Sequence, residues 1–467
     1  MSAPLLWSVF PFAFGALLLL FSEKRKLTIV LALLVCGLLA AIAVTIPINS
    51  LILVGDTSII FTDSIEVLGR TLSLSRSTQP LLAFFFVYAA LWILSSLVIQ
   101  VHRFFVPLVL METALLIGMT AVSPFIYGAF LILFAALIAI PIFWVQKTVV
   151  SSEGTIRFLL FQVLGLIFLA LGGWMAAAVD INPSDEFLLR RTVIVLLVGF
   201  VFWLAIFPFH NWVALLMDET CPSLSGFTIT ILQFSTFFIL LNFLRKYLWL
   251  RTYQPLFVGM QIIGILMLII GSLWGFFQRS VQRIHAFQLV AENGILLFLL
   301  GVKTEQSFSI FFSLLFIRVF TSIIWAFAVK CLGQLPDFNI TRFQGLYHRK
   351  PFVSAALIVS YFALAGFPLL PSFPFKTAMI SIAFAQSSDF GWAAAFGLFV
   401  LLAAGFSLGK TLFGGQESDT DLSGESLGQK LFLSAAILLI LLIAIFPGYF
   451  NQIVALISSE FQTILNG

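Results

Sequence analysis

Charge is what this chain of 467 residues has least of: Asp, Glu, Lys and Arg make up 9% of it, against 61% hydrophobic residues and a mean hydropathy of +1.13. So little charge cannot surface a soluble domain, and the chain is an integral membrane protein. Cysteine is almost as scarce. Cys36, Cys221 and Cys331 lie far apart with no metal-ligand spacing, which excludes a disulfide framework, a zinc site and an iron-sulfur cluster. There is no glycine-rich phosphate loop and no plausible pair of haem ligands, so no cofactor is expected and no redox or hydrolytic site belongs to the chain itself. A basic leader and a small-residue cleavage site are also missing ahead of the first apolar run, so the first helix is expected to be retained. The net charge of +4 is spread over short loops, which fits loop anchoring rather than a face for nucleic acid. The 55 phenylalanines are packing and lipid-facing material.

What the chain has in abundance is apolar runs of roughly 20 residues, each enough to cross about 30 Å of hydrocarbon as a helix. They predict an all-α, polytopic membrane protein of about fourteen transmembrane helices. The spans are expected near residues 4–21, 27–46, 80–100, 105–122, 124–145, 156–179, 192–216, 223–244, 255–277, 283–302, 307–330, 351–386, 391–413 and 429–455. A polar, β-prone stretch at 49–76 reads as an extramembrane hairpin, and 416–425 as a solvated loop. Two spans carry helix breakers: the seventh at Pro208, within Phe207-Pro208-Phe209-His210, and the twelfth at Pro368, Pro371 and Pro374. Backbone that leaves the helix at bilayer depth is tolerated only against protein or a wet cavity, so paired breaks flank an ion pathway. Each break is fourth in a block of five spans, which predicts an internal repeat. The expected organisation is 1–103 (three helices with the hairpin), 104–245 (first five-helix repeat), 254–414 (second repeat) and 428–467 (C-terminal helix). With the loop of Lys24, Arg25 and Lys26 placed in the cytoplasm, about 14 basic residues fall on that side and about 8 opposite, and both termini face outward; the loop of Arg245, Lys246 and Arg251 runs against this count.

The motifs around the breaks resemble the antiporter-like membrane subunits shared by complex I, membrane-bound hydrogenases and Mrp-type cation/proton antiporters. Phe207-Pro208-Phe209-His210-Asn211-Trp212 followed by Thr220-Cys221-Pro222-Ser223 resembles that family's Pro-Phe-His-x-Trp and Ala-Pro-Thr-Pro segments. Gln278 to Phe287, with Gln282 in place of a lysine, echoes Gln-x-Asp-x-Lys-Arg-x-x-Ala-Tyr, and Gly294 falls where a glycine follows. Phe343-Gln344-Gly345-Leu346, Arg349-Lys350-Pro351 and Ala365-Gly366-Phe367-Pro368 match a third block, whose lysine lands on Lys376.

The resemblance implies proton translocation through buried charges on the fifth, seventh, eighth and twelfth spans, and this chain keeps few of them. The fifth-span glutamate aligns near Ala135 or Ala136, the seventh-span lysine with Trp203 and the eighth-span lysine with Gln233 or Phe234. The first half-channel therefore reads as disarmed, with Glu112 as its one substitute carboxylate, in either a relay or a structural hydrogen-bonding role. In the second half Lys376 is either the terminal proton acceptor or a lysine snorkelling from a helix end. Arg318 replaces a family lysine on the eleventh span. It holds its proton at every accessible pH, so it would tune neighbours or pair with Glu292 as a fixed charge. Glu292 and His285, two turns apart on the tenth span, would line a polar path. His210 is either a cap for freed carbonyls or a proton shuttle. The implied partners are other membrane subunits of a complex I-like, hydrogenase-like or Mrp-like assembly in an energy-transducing membrane such as the prokaryotic inner membrane. The implied function is a proton-translocating subunit of an NADH/quinone oxidoreductase-type complex; the alternatives are an Mrp-type antiporter subunit and a non-conducting spacer.

Overall fold

The computed structural model describes residues 2–54, 57–67, 69–145, 152–182, 184–333, 338–414 and 424–465. The expected loop at 416–425 lies outside them except for Gly424 and Glu425. Among the described residues the chain is a bundle of eighteen α-helices: α1 Phe10–Leu20 (continuing a π-helical turn, Leu5–Val9), α2 Arg25–Thr45, α3 Gln79–Ser95, α4 Phe105–Ala121, α5 Gly128–Val145, α6 Glu153–Ile181, α7 Glu186–Trp203, α8 Asn211–Glu219 and α9 Pro222–Lys246 in the first part. The second part holds α10 Leu248–Thr252, α11 Gln254–Phe277, α12 Val281–Val302, α13 Glu305–Cys331, α14 Pro351–Ala365, α15 Phe373–Gln386, α16 Ser388–Phe413, α17 Leu427–Ile445 and α18 Pro447–Ser458. Ten of these are long and apolar enough to cross a membrane, and Leu5–Leu20, Phe105–Ala121 and Pro351–Ala365 are shorter apolar helices. With the broken α7–α8 and the continuation of α14 into α15, these helices correspond to the fourteen apolar runs.

Local chemistry sets the helix ends. Asp185 caps α7 by accepting from the Leu188 N–H, and Thr304 and Ser426 open α13 and α17 with capping boxes. Helices α9, α12 and α13 form the centre of the bundle. From Val281 to Gly301 only Arg283 is not buried, so α12 touches protein all round, while α17 turns most of its surface outward.

The expected hairpin segment is two antiparallel hairpins, β1 Leu51–Val54 with β2 Thr57–Ile60 and β3 Ser64–Val67 with β4 Arg70–Ser73, the latter extended by β5 Val122–Ser123. They share one face of the bundle with the C-terminal segment: Asp63 and Ser73 line one cavity together with Arg245 and Glu460, which pair at 2.7 Å, and Arg251 donates to the Thr463 carbonyl at 2.8 Å. The opposite face is tied by Arg25 donating to the Ser96 and Ile99 carbonyls, Glu219 accepting from the Gly154 N–H at 2.7 Å, and Lys350 donating to the Cys331 carbonyl at 2.7 Å.

Two expectations need correction. The last span does not run unbroken to residue 455: it ends at Ile445, and Pro447, which lacks an N–H to continue the ladder, begins the separate helix α18. The twelfth span is broken by residues 366–372 rather than at Pro374. Pro374 sits in the first turn of α15, where its missing N–H is one the helix leaves unpaired anyway.

Candidate functional site

The two breaks approach the buried centre from opposite halves, and polar side chains of α12 meet both. At the first break α7 stops at Trp203, residues 204–210 leave the helix, and α8 resumes at Asn211. The Leu204 carbonyl freed there accepts from Asn293 Nδ2 at 2.7 Å. At the second, α14 ends at Gly366 with φ +91°, a conformation that favours glycine, and Ser372 Oγ donates back to the Ala363 and Leu364 carbonyls. Gly366 is needed twice over: a Cβ on it would lie 2.8 Å from Cδ of Lys376.

That close approach lets Lys376 reach inward. Its ammonium forms an ion pair with Glu292 of α12, both side chains almost wholly buried. The pairing excludes a snorkelling role, since an ammonium spent on a buried carboxylate is not extended to an interface. Arg318, expected either to tune its neighbours or to pair with Glu292, is not that carboxylate's hydrogen-bond partner. The Arg318 guanidinium donates instead to Asn293 Oδ1 and to Gln233 Oε1 of α9, while staying within electrostatic reach of Glu292. Asn293 thereby joins Arg318 to the first break.

On the far side of Gln233 the polar row continues more thinly. Glu112 of α4 is fully buried and accepts from the Thr228 hydroxyl of α9 at 3.2 and 3.3 Å. Between Thr228 and Gln233 the Thr230 hydroxyl is buried beside that of Tyr88, which lies within electrostatic reach of both Glu112 and Arg318. The row thus runs from Glu112 through Thr228, Tyr88, Gln233, Arg318 and Asn293 to Glu292 and Lys376, and its carboxylates and its lysine stand at its two ends.

The two histidines lie outside this row. Nδ1 of His285 is 3.1 Å from Gln288 Oε1, its ring stacks on Trp325 at 4.8 Å between centroids, and its Nε2 is buried without a partner. Gln288 donates in turn to the Tyr361 carbonyl at 2.8 Å. His210 is buried against Phe287, 5.8 Å between ring centroids, with the backbone of Pro208 beside its ring. At the same break Asn293 caps the Leu204 carbonyl. The position of the family's seventh-span lysine is tightly packed: Trp203 is buried, donates from Nε1 to the Gln162 carbonyl at 3.0 Å, and lies so close to Gly165 that a Cβ there would be 2.2 Å from its ring. Ala135 and Ala136 are buried as well.

Residues 145–401, more than half of the chain, match the family described as NADH:quinone oxidoreductase/Mrp antiporter, TM. The chain belongs to this family. Curated relatives include NADH-quinone oxidoreductase subunit N of Buchnera aphidicola subsp. Schizaphis graminum, 24% identical over 252 residues that make up 50% of this chain and 52% of the relative. A second is NADH-quinone oxidoreductase subunit N 2 of Hydrogenobaculum sp. (strain Y04AAS1), 24% identical over 65% of this chain and 67% of the relative. The chain matches only about half the length of the first of these. The fold is shared with a chain of the Mrp complex from Dietzia sp. DQ12-45-1b (TM-score 0.81, 14% identity, 99% of both chains). It is shared equally with a chain of respiratory complex I from Thermus thermophilus (TM-score 0.78, 20% identity, 99% of this chain and 100% of that one). The antiporter-like family membership and the polytopic membrane fold expected from the motifs therefore hold.

Sequence reasoning missed Thr228, Gln288 and the joining role of Asn293. Gln288 had a signal, since it lies three residues after His285 on one helix face. Thr228 had none, because its link to Glu112 crosses 116 residues of sequence.

Proposed function

We propose that this protein is a membrane subunit of an NADH/quinone oxidoreductase-type complex that contributes to proton translocation through the Glu292–Lys376 pair. The observation that carries the reading is that pair, buried beside the second helix break within the family-matched region. A proton passing between the ammonium and the carboxylate converts an ion pair into a neutral pair without exposing a lone charge to hydrocarbon, so either partner can load or discharge as the charge around it changes. Arg318 cannot carry that proton. It holds a permanent positive charge near Glu292 and fixes Asn293 against Leu204, which keeps the first break in register with the pair. His285, with a free Nε2 on the same helix as Glu292, supports a wet approach to the pair, and His210 stands at the other break; Glu112 with Thr228 is the remaining carboxylate of the first half.

The tight packing around Trp203 favours a first repeat (104–245) that does not conduct and a second (254–414) that does, with 1–103 and 428–467 as flanking helices. Partners are other membrane subunits of the complex, and electron transfer belongs to subunits beyond this chain. The membrane is the bacterial inner membrane or an equivalent, with both termini outward. The arrangement in which Arg245 and Arg251 are held by Glu460 and Thr463 supports this orientation, because the basic loop that runs against the charge count is engaged by the C-terminal segment. The fold shared with the Mrp chain favours, as a second reading, a cation/proton antiporter subunit.

The test is Lys376→Met in inverted membrane vesicles containing the intact complex. The expected result is proton translocation reduced at least tenfold with assembly unchanged; full translocation by an intact complex refutes the reading. If translocation falls when driven by a sodium gradient but no quinone-linked electron transfer accompanies the complex, the antiporter reading replaces the first.

A further inference from the structure

On the face opposite the hairpins, two neighbouring cavities of about 300 and 370 Å³ open between α6, α8, α11 and α12 and share Gln278 and Arg283. The polar row does not use them. Arg157, one turn into α6, lines one and Arg279 lines the other, so with the shared Arg283 three guanidinium groups converge on one cleft. Their carboxylate partners leave them positive in sum. Arg157 pairs with Glu153, four residues away in an exposed geometry that contributes little. Arg283 holds Asp218 through Nε at 2.8 Å, with Ser280 Oγ donating to the same carboxylate. Arg279 has no carboxylate partner among the described residues. Asn211 adds an amide donor on the bundle side. Trp274 and Phe277, 46% and 73% exposed, stand on the last turns of α11 at the same level, where aromatic rings mark the membrane interface.

We infer that this cleft binds the phosphate of an anionic phospholipid. Arginine recognises phosphate through paired N–H donors, and amide side chains add donors without adding charge. Depth selects the source: a cleft between transmembrane helices, rimmed by exposed aromatics at the level where helices begin and end, is filled from the bilayer, and basic pockets of this kind take lipid headgroups. Because Arg283 faces both cavities, a lipid with two phosphates spans them better than one with a single phosphate. The site also carries a mechanical consequence. Arg283 clamps the end of α8, the second half of the first broken span, so a phosphate on the same guanidinium stiffens that half-helix against α12.

The experiment is native mass spectrometry of the full protein, delipidated in neutral detergent and re-exposed to phosphatidylcholine vesicles containing one-tenth phosphatidylglycerol or cardiolipin. Preferential retention of the anionic lipids is expected, with cardiolipin retained most. Arg157→Gln and Arg279→Gln are each expected to weaken retention about fivefold and to combine, while Arg190→Gln on the hairpin face changes nothing. Equal retention of phosphatidylcholine, or anionic preference untouched by the paired substitution, overturns the inference. Displacement of bound lipid by millimolar inorganic phosphate overturns the lipid assignment in favour of a soluble anion. A photoactivatable phosphatidylglycerol on the unsubstituted protein provides a readout free of folding effects: adducts on the peptide holding Trp274 and Phe277 support the site, and labelling confined to other helices refutes it.

Discussion

The Glu292–Lys376 pair makes a prediction whose size follows from burial. Taking both charges out of water costs several kcal/mol each, offset by their mutual attraction, so removing one partner exposes the full penalty of the other, about 3–5 kcal/mol for a buried pair. Glu292→Leu strands the Lys376 ammonium in a neighbourhood that already holds Arg318. Lys376→Met strands Glu292, but Arg318 stays within electrostatic reach of that carboxylate. The first substitution should therefore be the more damaging. Replacing both with Leu and Met removes both penalties together, and the double variant should lie within about 1 kcal/mol of the starting protein. The interaction term of the cycle is then several kcal/mol, far beyond the roughly 0.5 kcal/mol within which independent sites add. The measurement is denaturant unfolding of the four proteins in one mixed-micelle system at one pH, followed by tryptophan fluorescence. Additive losses, or Lys376→Met proving the worse single substitution, would refute both the pairing and the place given to Arg318.

Three further outcomes follow from the same geometry. Asn293→Leu removes the donor to the Leu204 carbonyl and the acceptor for Arg318 at one stroke, leaving two buried groups unpaired; a loss of about 2–5 kcal/mol is expected in the same unfolding assay, against well under that for Asn242→Leu at the bundle surface. Gly366→Ala combines a φ of +91° with a contact of 2.8 Å to the Lys376 side chain, so it should cost about 1–3 kcal/mol and should also lower translocation, whereas a loss of stability alone would deny that Gly366 positions Lys376. Outside the membrane, burial first and the neighbouring Arg103 charge second hold the His102 imidazole below its ordinary value of 6.5. The unfolded chain then takes up that proton at a higher pH than the folded one, so stability falls on acidification through the region just below 6.5; His102→Gln should flatten that segment of the stability–pH curve, and an unchanged slope would contradict the cause given.

Span number, both breaks and the family were legible in the sequence because they rest on local signals: unbroken apolar length, proline placement and short motifs. The identity of the charged residues was legible too, since Glu292, Arg318 and Lys376 each interrupt an apolar run. Their pairing was not. Glu292 stands 84 residues from Lys376 and 26 from Arg318, and the nearer cation was the natural guess. The close approach at Gly366 decides otherwise, because only a residue without a side chain lets Lys376 fold back across its own break. The fate of the last span was missed for a local reason, as Pro447 was read as lying within an apolar run rather than as the start of a new helix. The role of Asn293 needed the fold, since the carbonyl it caps exists as a free acceptor only once α7 has ended at Trp203.

The substitutions along the polar row are consistent with one another in a way that a list of lost charges does not convey. Where the resemblance places a lysine on Gln233 or Phe234, the neighbouring side chain is Arg318, and the amide oxygen of Gln233 is what the guanidinium uses. An arginine at this depth needs acceptors on every side, and the row supplies two neutral ones, Gln233 and Asn293, in place of a carboxylate. A carboxylate there would have made a second ion pair able to compete with Glu292 for Lys376; two amides hold the Arg318 guanidinium and leave the Glu292–Lys376 pair in place. The same choice closes the row to proton exchange on the Gln233 side, because neither amide nor guanidinium changes protonation. With Trp203 packed on Gly165 in the first half, the relay we propose for the second half and the permanent positive charge at its border would follow from one set of residues. Restoring a lysine at Gln233 should therefore destabilise the protein through repulsion with Arg318 rather than reopen the first half, and only the pair Gln233→Lys with Arg318→Gln has the charge count to let a proton pass.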